Sequence, residues 1–442
     1  MSLLPAAAQG KEDPVPSLTL AAAHTLALKN HPRIAAVNSQ ALAAVQQVKE
    51  ARAGFFPSAS LVGTAAGAGS DNTRILAGAL NNPSVIDRVA GGVWVSQLLT
   101  DFGRTANLAA SAKYHAQAES DRAAATREQV LLEVDRAFFG ALRAQAVLQV
   151  ASETLDTRRL LLSQVAVLAT NKLKSELDVS FAQVSVEEGR LLFERAQNDL
   201  DAARADLSAA LGDRRERVYQ PVESSAPAAG DPGEVSDWIA RGLRDRPELG
   251  ELRSEQESAR RYARAQRDAR LPVLAAVGAA GGAPVHDSRL ADTYAAAGVT
   301  LNMPLFAGGL YQSRQREAEL RAEAAGELLR TMEDEVIRDV RVSWLRWNGA
   351  REQLRTTGRL LEHAGRAFDL AQARYKVGSS SIVELSQAQL ALTSAEIANT
   401  TARYEVLLQR AVLDFEAGVS DQDGTRFQPG VSQPQTSTRQ NP

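Results

Sequence analysis

Cysteine is missing from all 442 residues. A disulfide scaffold, a thiolate metal site and a cysteine nucleophile are therefore excluded. The chain is also expected to do without a lipid anchor on an N-terminal cysteine. An excess of one charge sign is missing too: 50 Lys and Arg stand against 53 Asp and Glu, a formal net charge of −3. With no basic surplus to neutralise phosphates, nucleic acid is not expected as a partner. Aromatic residues make up only 5% of the chain, thin for an enzyme core of this size. No run of about 18 apolar residues occurs, so no transmembrane helix is expected.

Catalytic patterns are also absent. The five histidines are His24, His31, His115, His286 and His363. No two sit at ligand spacing on one helix face, and no His-Glu-x-x-His occurs. The glycine-rich pieces at 63–69 and 278–282 are neither a phosphate-binding loop nor a dinucleotide fingerprint. No Gly-x-Ser-x-Gly elbow is present. The sequence therefore reads as a protein that is not an enzyme, with no metal and no cofactor.

What is present is a repeat. Length alone would suggest about three ordinary domains, but the chain is written twice. Pro32 and Pro57 are 25 residues apart, as are Pro247 and Pro272. Farther on, a shift of 206 carries Gly92-Val93 onto Gly298-Val299, Gly103 onto Gly309, Phe138 onto Trp344 and Ala182-Gln183 onto Ala388-Gln389. The shift is 215 before this block, so one loop is nine residues longer in the first copy. It lies between 70 and 90, among Asp71, Asn72, Asn81, Asn82 and Pro83, all turn formers.

Each copy reads as a helix, a strand pair, a very long helix, a turn and a returning helix. The first helix is expected over about 18–55. Strands are expected at 58–69, 89–98, 273–283 and 293–304. The last is the clearest, with Ala295, Ala297, Val299, Leu301 and Met303 alternating with Tyr294, Thr300 and Asn302. Long helices are expected at 104–170 and 310–376, and returning helices at 178–211 and 383–417. Apolar residues from Leu329 to Leu354 recur at a mean step of about 3.6 residues, one stripe on one side. Some 65 residues of helix reach about 100 Å, so the stripe needs equally long partners. The expected organisation is a 1–16 disordered tail or signal-peptide remnant, repeat 1 at 17–212, a linker at 213–246, repeat 2 at 247–418 and a polar tail at 419–442.

With both copies laid out, the sequence resembles the TolC family of outer-membrane channel proteins. Ser17-Leu18-Thr19-Leu20-Ala21 followed by Leu28-Lys29-Asn30-His31-Pro32 is similar to the family's opening helix. Gln97 to Arg104 and Met303 to Gly309 resemble its paired strand-to-helix motif, and Arg374 to Gln389 its helical-tip motif. The resemblance spans residues 17–418. It implies a mainly α fold with a small β part: two tandem repeats, a long periplasmic α-helical barrel, and four strands per protomer contributing to a shared twelve-stranded trimeric outer-membrane β-barrel. Loops 70–88 and 284–292 would face outside. Trp94 and Tyr294 are candidates for a lipid-facing aromatic girdle, with the barrel interior as the alternative.

The implied function is an exit duct of a tripartite efflux or secretion system in the outer membrane of a Gram-negative bacterium, most simply for small molecules. The alternatives are the outer-membrane component of a type I protein secretion system and, more distantly, a soluble elongated coiled-coil scaffold. The implied partners are two further copies, a periplasmic adaptor protein, an inner-membrane pump of RND or ABC type, and outer-membrane lipid. The turns 171–177 and 377–383 would form the periplasmic mouth. Tyr375, Glu384 and its repeat partner Asp178 are the candidate gate residues. Glu384 in three copies would place carboxylates around a narrow mouth; alternatively it only complements its helix dipole. Val377, Gly378, Ser379, Lys172 and Leu173 are the candidate adaptor-docking residues. The family's Val-Gly-Leu reads Val377-Gly378-Ser379 here, and its first-copy counterpart Asn171-Lys172-Leu173 has no glycine. Ser380 stands where some members carry a locking basic residue, and Gln387 where a second carboxylate can occur.

Overall fold

The computed structural model describes residues 17–67, 73–77, 80–85, 88–213, 219–223, 233–286 and 291–419. The expected N-terminal and C-terminal tails lie outside these. The described residues fall into two compact units, each drawing segments from both copies of the repeat. One holds the residues up to Val37, Ala123–Leu249 and those from Glu333 onward; the other holds Asn38–Arg122 and Gly250–Met332.

The chain opens with β1 (Ser17–Leu18), α1 (Leu20–Asn30), α2 (Pro32–Ala53), β2 (Ser58–Ala66), β3 (Thr73–Ala77), β4 (Leu80–Val85) and β5 (Arg88–Thr100). The long helix α3 (Arg104–Thr170) and the returning α4 (Glu176–Ala210) complete the first copy. The second follows β6 (Gln220–Pro221). It comprises α5 (Val235–Asp245), α6 (Pro247–Asp268), β7 (Val273–Val285), β8 (Thr293–Asn302), α7 (Leu310–Lys376) and α8 (Ile382–Glu416).

Three local expectations need correction. The opening helix expected as one piece over 18–55 is two, because His31 turns extended before Pro32. Proline's ring disfavours the helical conformation of the residue before it. The short helix in the expected linker, α5, meets α6 at Arg246-Pro247 in the same way. It stands to α6 as α1 stands to α2, at the 215-residue shift. The long loop between 70 and 90 carries an antiparallel pair, β3 with β4, where Leu76 faces Asn81 and Ala77 faces Leu80. Thr73 and Ile75 favour the first strand, while the turn formers Asn81, Asn82 and Pro83 fall inside the second.

The seam of the first unit is a strict heptad rather than a 3.6-residue stripe. On α7 the small residues Val336, Ser343, Ala350, Thr357, Ala364 and Ala371 are buried, each seven residues after the last. The large residues Val340, Trp347, Leu354, Leu361, Phe368 and Tyr375 follow the same spacing and are buried or half-buried. A straight helix drifts from a seven-residue repeat, so such a seam imposes a left-handed supercoil.

The short helices seat on the long ones in both copies. Ala23 and Ala27 of α1 share a core with Val130, Val134 and Phe138 of α3. Gly242 of α5 lies against Val336 and Val340 of α7, where an added Cβ would come within 3.2 Å of each. Cations and indoles then alternate. The Arg410 guanidinium of α8 sits 5.0 Å from Trp238 and 4.9 Å from Trp347. Arg241 covers Trp238 and Arg351 covers Trp347. Such contacts are each worth roughly 0.5–2 kcal/mol, more when dehydrated.

The repeat is written into the backbone as well. Among the described residues, all the left-handed ones but Gly233 come in pairs 206 apart: Phe102 with Gly308, Gly103 with Gly309, Lys172 with Gly378, and Gly212 with Gly418. Gly212 ends α4 against His31, and Gly418 ends α8 against Arg246, where added Cβ atoms would each approach backbone to 2.9 Å. Gly418→Ala combines this clash with a φ of +65°. It should cost about 1–3 kcal/mol in denaturant unfolding followed by circular dichroism. Gly233→Ala has a similar φ of +64° and open space around it, so it should lose only the backbone part. Equal losses in the two variants would show that the Gly418 contact contributes nothing.

Candidate functional site: two helical tips and a four-stranded sheet

The two tips of the first unit are built alike. After α3, Leu173 N donates to Leu168 O at 2.9 Å and Lys172 N to Ala169 O at 2.9 Å. After α7, Ser379 N donates to Arg374 O at 2.9 Å and Gly378 N to Tyr375 O at 3.1 Å. This is the Schellman ending, which needs one left-handed residue. Gly378 supplies it freely, whereas Lys172 supplies it with a φ of +59°. The missing glycine of the first tip therefore changes the strain but not the shape.

Each returning helix then starts on a serine cap. Ser175 Oγ accepts from Asp178 N and Ser381 Oγ accepts from Glu384 N, both at 3.2 Å. The two candidate gate carboxylates thus occupy the same position, three residues past the cap. Their partners differ. Asp178 completes a capping box, its carboxylate accepting from Ser175 N at 3.0 Å. Glu384 instead accepts from Arg374 Nη1 at 2.9 Å, while Arg374 Nη2 donates to Ser379 O. Each carboxylate therefore sits at a positive helix end and has a donor of its own.

Tyr375 is buried at the base of the second tip, packed with Val165, Ala371, Ile382 and Leu385. Lys174 Nζ lies 3.9 Å above its ring. Its hydroxyl is buried with no hydrogen-bond partner among the described residues. Burial first, and the charge of Asp178 second, hold the phenol above its ordinary pKa. The docking candidates Val377 and Leu173 are 79% and 69% exposed, and Gly378, Ser379 and Lys172 are exposed beside them. Sequence reasoning missed Arg374, Lys174 and both caps. The caps were signalled by Ser-x-x-Asp at 175–178 and Ser-x-x-Glu at 381–384.

The second unit carries an antiparallel sheet in the order β2-β5-β7-β8. Among the described residues its outer edges, on β2 and β8, have no strand partner. Register fixes which side chains share a face. Leu61 pairs with Val93, Val93 with Ala280 and Ala280 with Ala295. That face holds Leu61, Val89, Val93, Val95, Leu274, Val299 and Leu301 among alanines and glycines. Its polar residues are Thr293 and Gln97, which sits near the helix end and donates to Phe55 O and Leu98 O at 2.9 and 2.8 Å. The opposite face is more polar: it carries Ser58, Ser60, Thr64, Ser96, Thr300 and Asn302 beside Val62, Leu98, Val273 and Val277. Trp94 and Tyr294 are on this polar face, since Ser60 pairs with Trp94 and Gly281 with Tyr294.

Comparison with known proteins agrees with this geometry. The model of the family described as outer membrane efflux protein matches residues 23–213 and 238–419. The chain belongs to the outer membrane efflux protein family. It is 27% identical over 421 residues to the outer membrane protein TolC of Vibrio cholerae, covering 91% of this chain and 92% of that one. Its fold is similar to a membrane protein from Pseudomonas aeruginosa, with a TM-score of 0.76, 22% identity and coverage of 90% and 93%. It is also similar to the CmeC outer membrane channel of Campylobacter jejuni, with a TM-score of 0.76, 16% identity and coverage of 90% and 85%. As a member of this family the protein is a passive channel of the outer membrane with a large periplasmic helical part, and not an enzyme. No described helix is long and apolar enough to cross a membrane.

The buried phenol gives a test of the tip. With its folded pKa raised, Tyr375 contributes stability that is complete below its unfolded value of about 10 and is lost as pH rises through the raised value. Tyr375→Phe keeps the ring and removes a hydroxyl that has no partner. It should unfold within about 1 kcal/mol of wild type at pH 7 and outlast it above pH 10. Parallel loss in both proteins would assign the alkaline transition to other groups.

Proposed function

We propose that this chain is the exit duct of a tripartite efflux system, three copies closing one twelve-stranded barrel and one helical tube. The observation that carries this is the four-stranded sheet, with one apolar face and two open edges. In lipid every backbone polar group needs a partner, so an open edge is untenable and the sheet must close. Four strands cannot enclose a lumen. Eight give an interior filled by side chains, whereas twelve leave room for passage. Apolar side chains face lipid and polar ones face the lumen in such barrels, which matches the two faces found here. Small-molecule efflux is supported by the family's description as outer membrane efflux protein. The adaptor protein and inner-membrane pump belong to the same proposal.

The tips would form the periplasmic mouth and adaptor-docking surface, with Val377, Gly378, Ser379, Lys172 and Leu173 presented outward. Tyr375, Glu384 and Asp178 would act at the gate. Four cations (Lys172, Lys174, Arg374 and Lys376) stand beside three carboxylates (Glu176, Asp178 and Glu384) in these turns. Arg374 therefore tempers the field of Glu384, and the mouth discriminates by local arrangement rather than by net charge.

Two measurements test this. Glu384→Gln with Asp178→Asn should weaken block of single-channel current by multivalent cations in planar bilayers, and Arg374→Ala should strengthen it. Unchanged block in both variants would remove the carboxylates from the mouth. Gly378→Trp should abolish export in a strain dependent on this chain while leaving the trimer assembled. Full export would show that the adaptor docks elsewhere.

A further inference from the structure

We infer that Trp94 and Tyr294 form an aromatic belt inside the barrel that binds large, aromatic organic cations in transit. This rests on the barrel reading above and adds to it a lining and a class of cargo. Register through all four strands places both aromatics with Ser58, Ser60, Thr64, Ser96, Thr300 and Asn302, along with Val62, Leu98, Val273 and Val277, on the face opposite Leu61, Val93, Val95, Leu274, Val299 and Leu301. A lipid-facing girdle would require them on the other face. The alternative left open by the sequence, the barrel interior, is the one the register favours.

The conformation of Tyr294 supports this. Gly281 pairs with Tyr294 on one side and with Gly92 on the other. A Cβ at Gly281 would lie 2.6 Å from the Tyr294 hydroxyl, and a Cβ at Gly92 would collide with it as well. The tyrosine therefore lies flat across two strands, over a floor of two glycines, and its hydroxyl ends at Gly92. Trp94 is the next side chain on that same face of β5, roughly 7 Å along the strand. The two form one continuous aromatic surface per copy, bordered by the hydroxyl of Ser60 on the neighbouring strand. They are 43% and 42% exposed.

No acidic or basic residue stands on this face alongside the two aromatics; Arg88, the first residue of β5, pairs with Ala66 beyond Gly92. Around the aromatics, a lining without charge gives no strong preference between simple cations and anions. It offers π faces and hydroxyls instead. Indole and phenol faces attract large, weakly hydrated organic cations and stack on aromatic rings. Three copies would repeat the surface around the lumen, so a molecule leaving one would meet the next.

The test uses the chain's lack of cysteine, which makes any introduced thiol unique. In bilayers, a water-soluble cationic methanethiosulfonate should reduce the current of Trp94→Cys in up to three steps. It should leave Val93→Cys and Val95→Cys untouched. Ser60→Cys, a small change on the same face, should react as Trp94→Cys does, and it serves where the tryptophan variant fails to assemble. Tetraphenylphosphonium should block the wild-type channel, and Trp94→Ala should weaken that block about three- to tenfold, with Trp94→Phe between them. Reaction at 93 and 95 but not at 60 or 94 would overturn the inward assignment. Equal block of wild type and Trp94→Ala would overturn the binding. A wild-type chain that forms no channel would instead overturn the barrel itself, and this proposal with it.

Discussion

The constraint on which the rest depends is the seven-residue seam of α7. Val336, Ser343, Ala350, Thr357, Ala364 and Ala371 let neighbouring backbones approach, while Trp347, Phe368 and Tyr375 fill the spaces between. A seam kept in register for some forty residues leaves little freedom to its partners. They must run alongside for the same distance and follow the same supercoil. The returning helices α4 and α8 accordingly share one length of 35 residues, and α3 and α7 share one of 67. The turns between them can then be short, because each helix has only to reverse direction.

The repeat shows where sequence is free and where geometry is not. Left-handed backbone falls at four equivalent places, although glycine occupies only six of those eight residues. Phe102 and Lys172 hold the conformation that Gly308 and Gly378 hold in the second copy. A side chain there costs about 1–2 kcal/mol, so the surrounding hydrogen bonds must dictate the turn rather than the residue. The closed ends of α4 and α8 are the opposite case. At Gly212 and Gly418 another stretch of backbone fills the space, and glycine is retained in both copies.

Much of this was legible in the residues alone. The 206-residue shift, the long helices and the period-two strands all rest on patterns that survive without a partner. What was not legible shares a physical cause. The first helix looked continuous because its apolar pattern runs through Pro32; only the extended His31 shows the break. The seam reads as a 3.6-residue stripe in the sequence because Leu329 to Leu354 is too short to separate 3.5 from 3.6. The turn at Lys172 was hidden because lysine does not announce a left-handed backbone. The tip carboxylates were found by position, but Arg374, which lies ten residues before Glu384, was not. Its role depends on a reversal of the chain that spacing cannot measure.

The sheet shows the same limit most clearly, and it also explains the composition. Alanine and glycine fill both faces of the strands, so alternation alone says little about which face is which. Pairing resolves it, since one misplaced residue would exchange every side chain between faces. The larger residues then become informative: most branched aliphatics lie on one side, and the two aromatics, with most of the hydroxyls, on the other. Gly92 and Gly281 have a reason of their own. With side chains there, the Tyr294 ring could not lie against the strands, and added Cβ atoms would also collide with paired backbone. In the proposed barrel, small residues under an aromatic would keep the passage wide and still give it a surface to which a passing molecule can bind. A wall that must do both has use for many alanines and glycines and few aromatics.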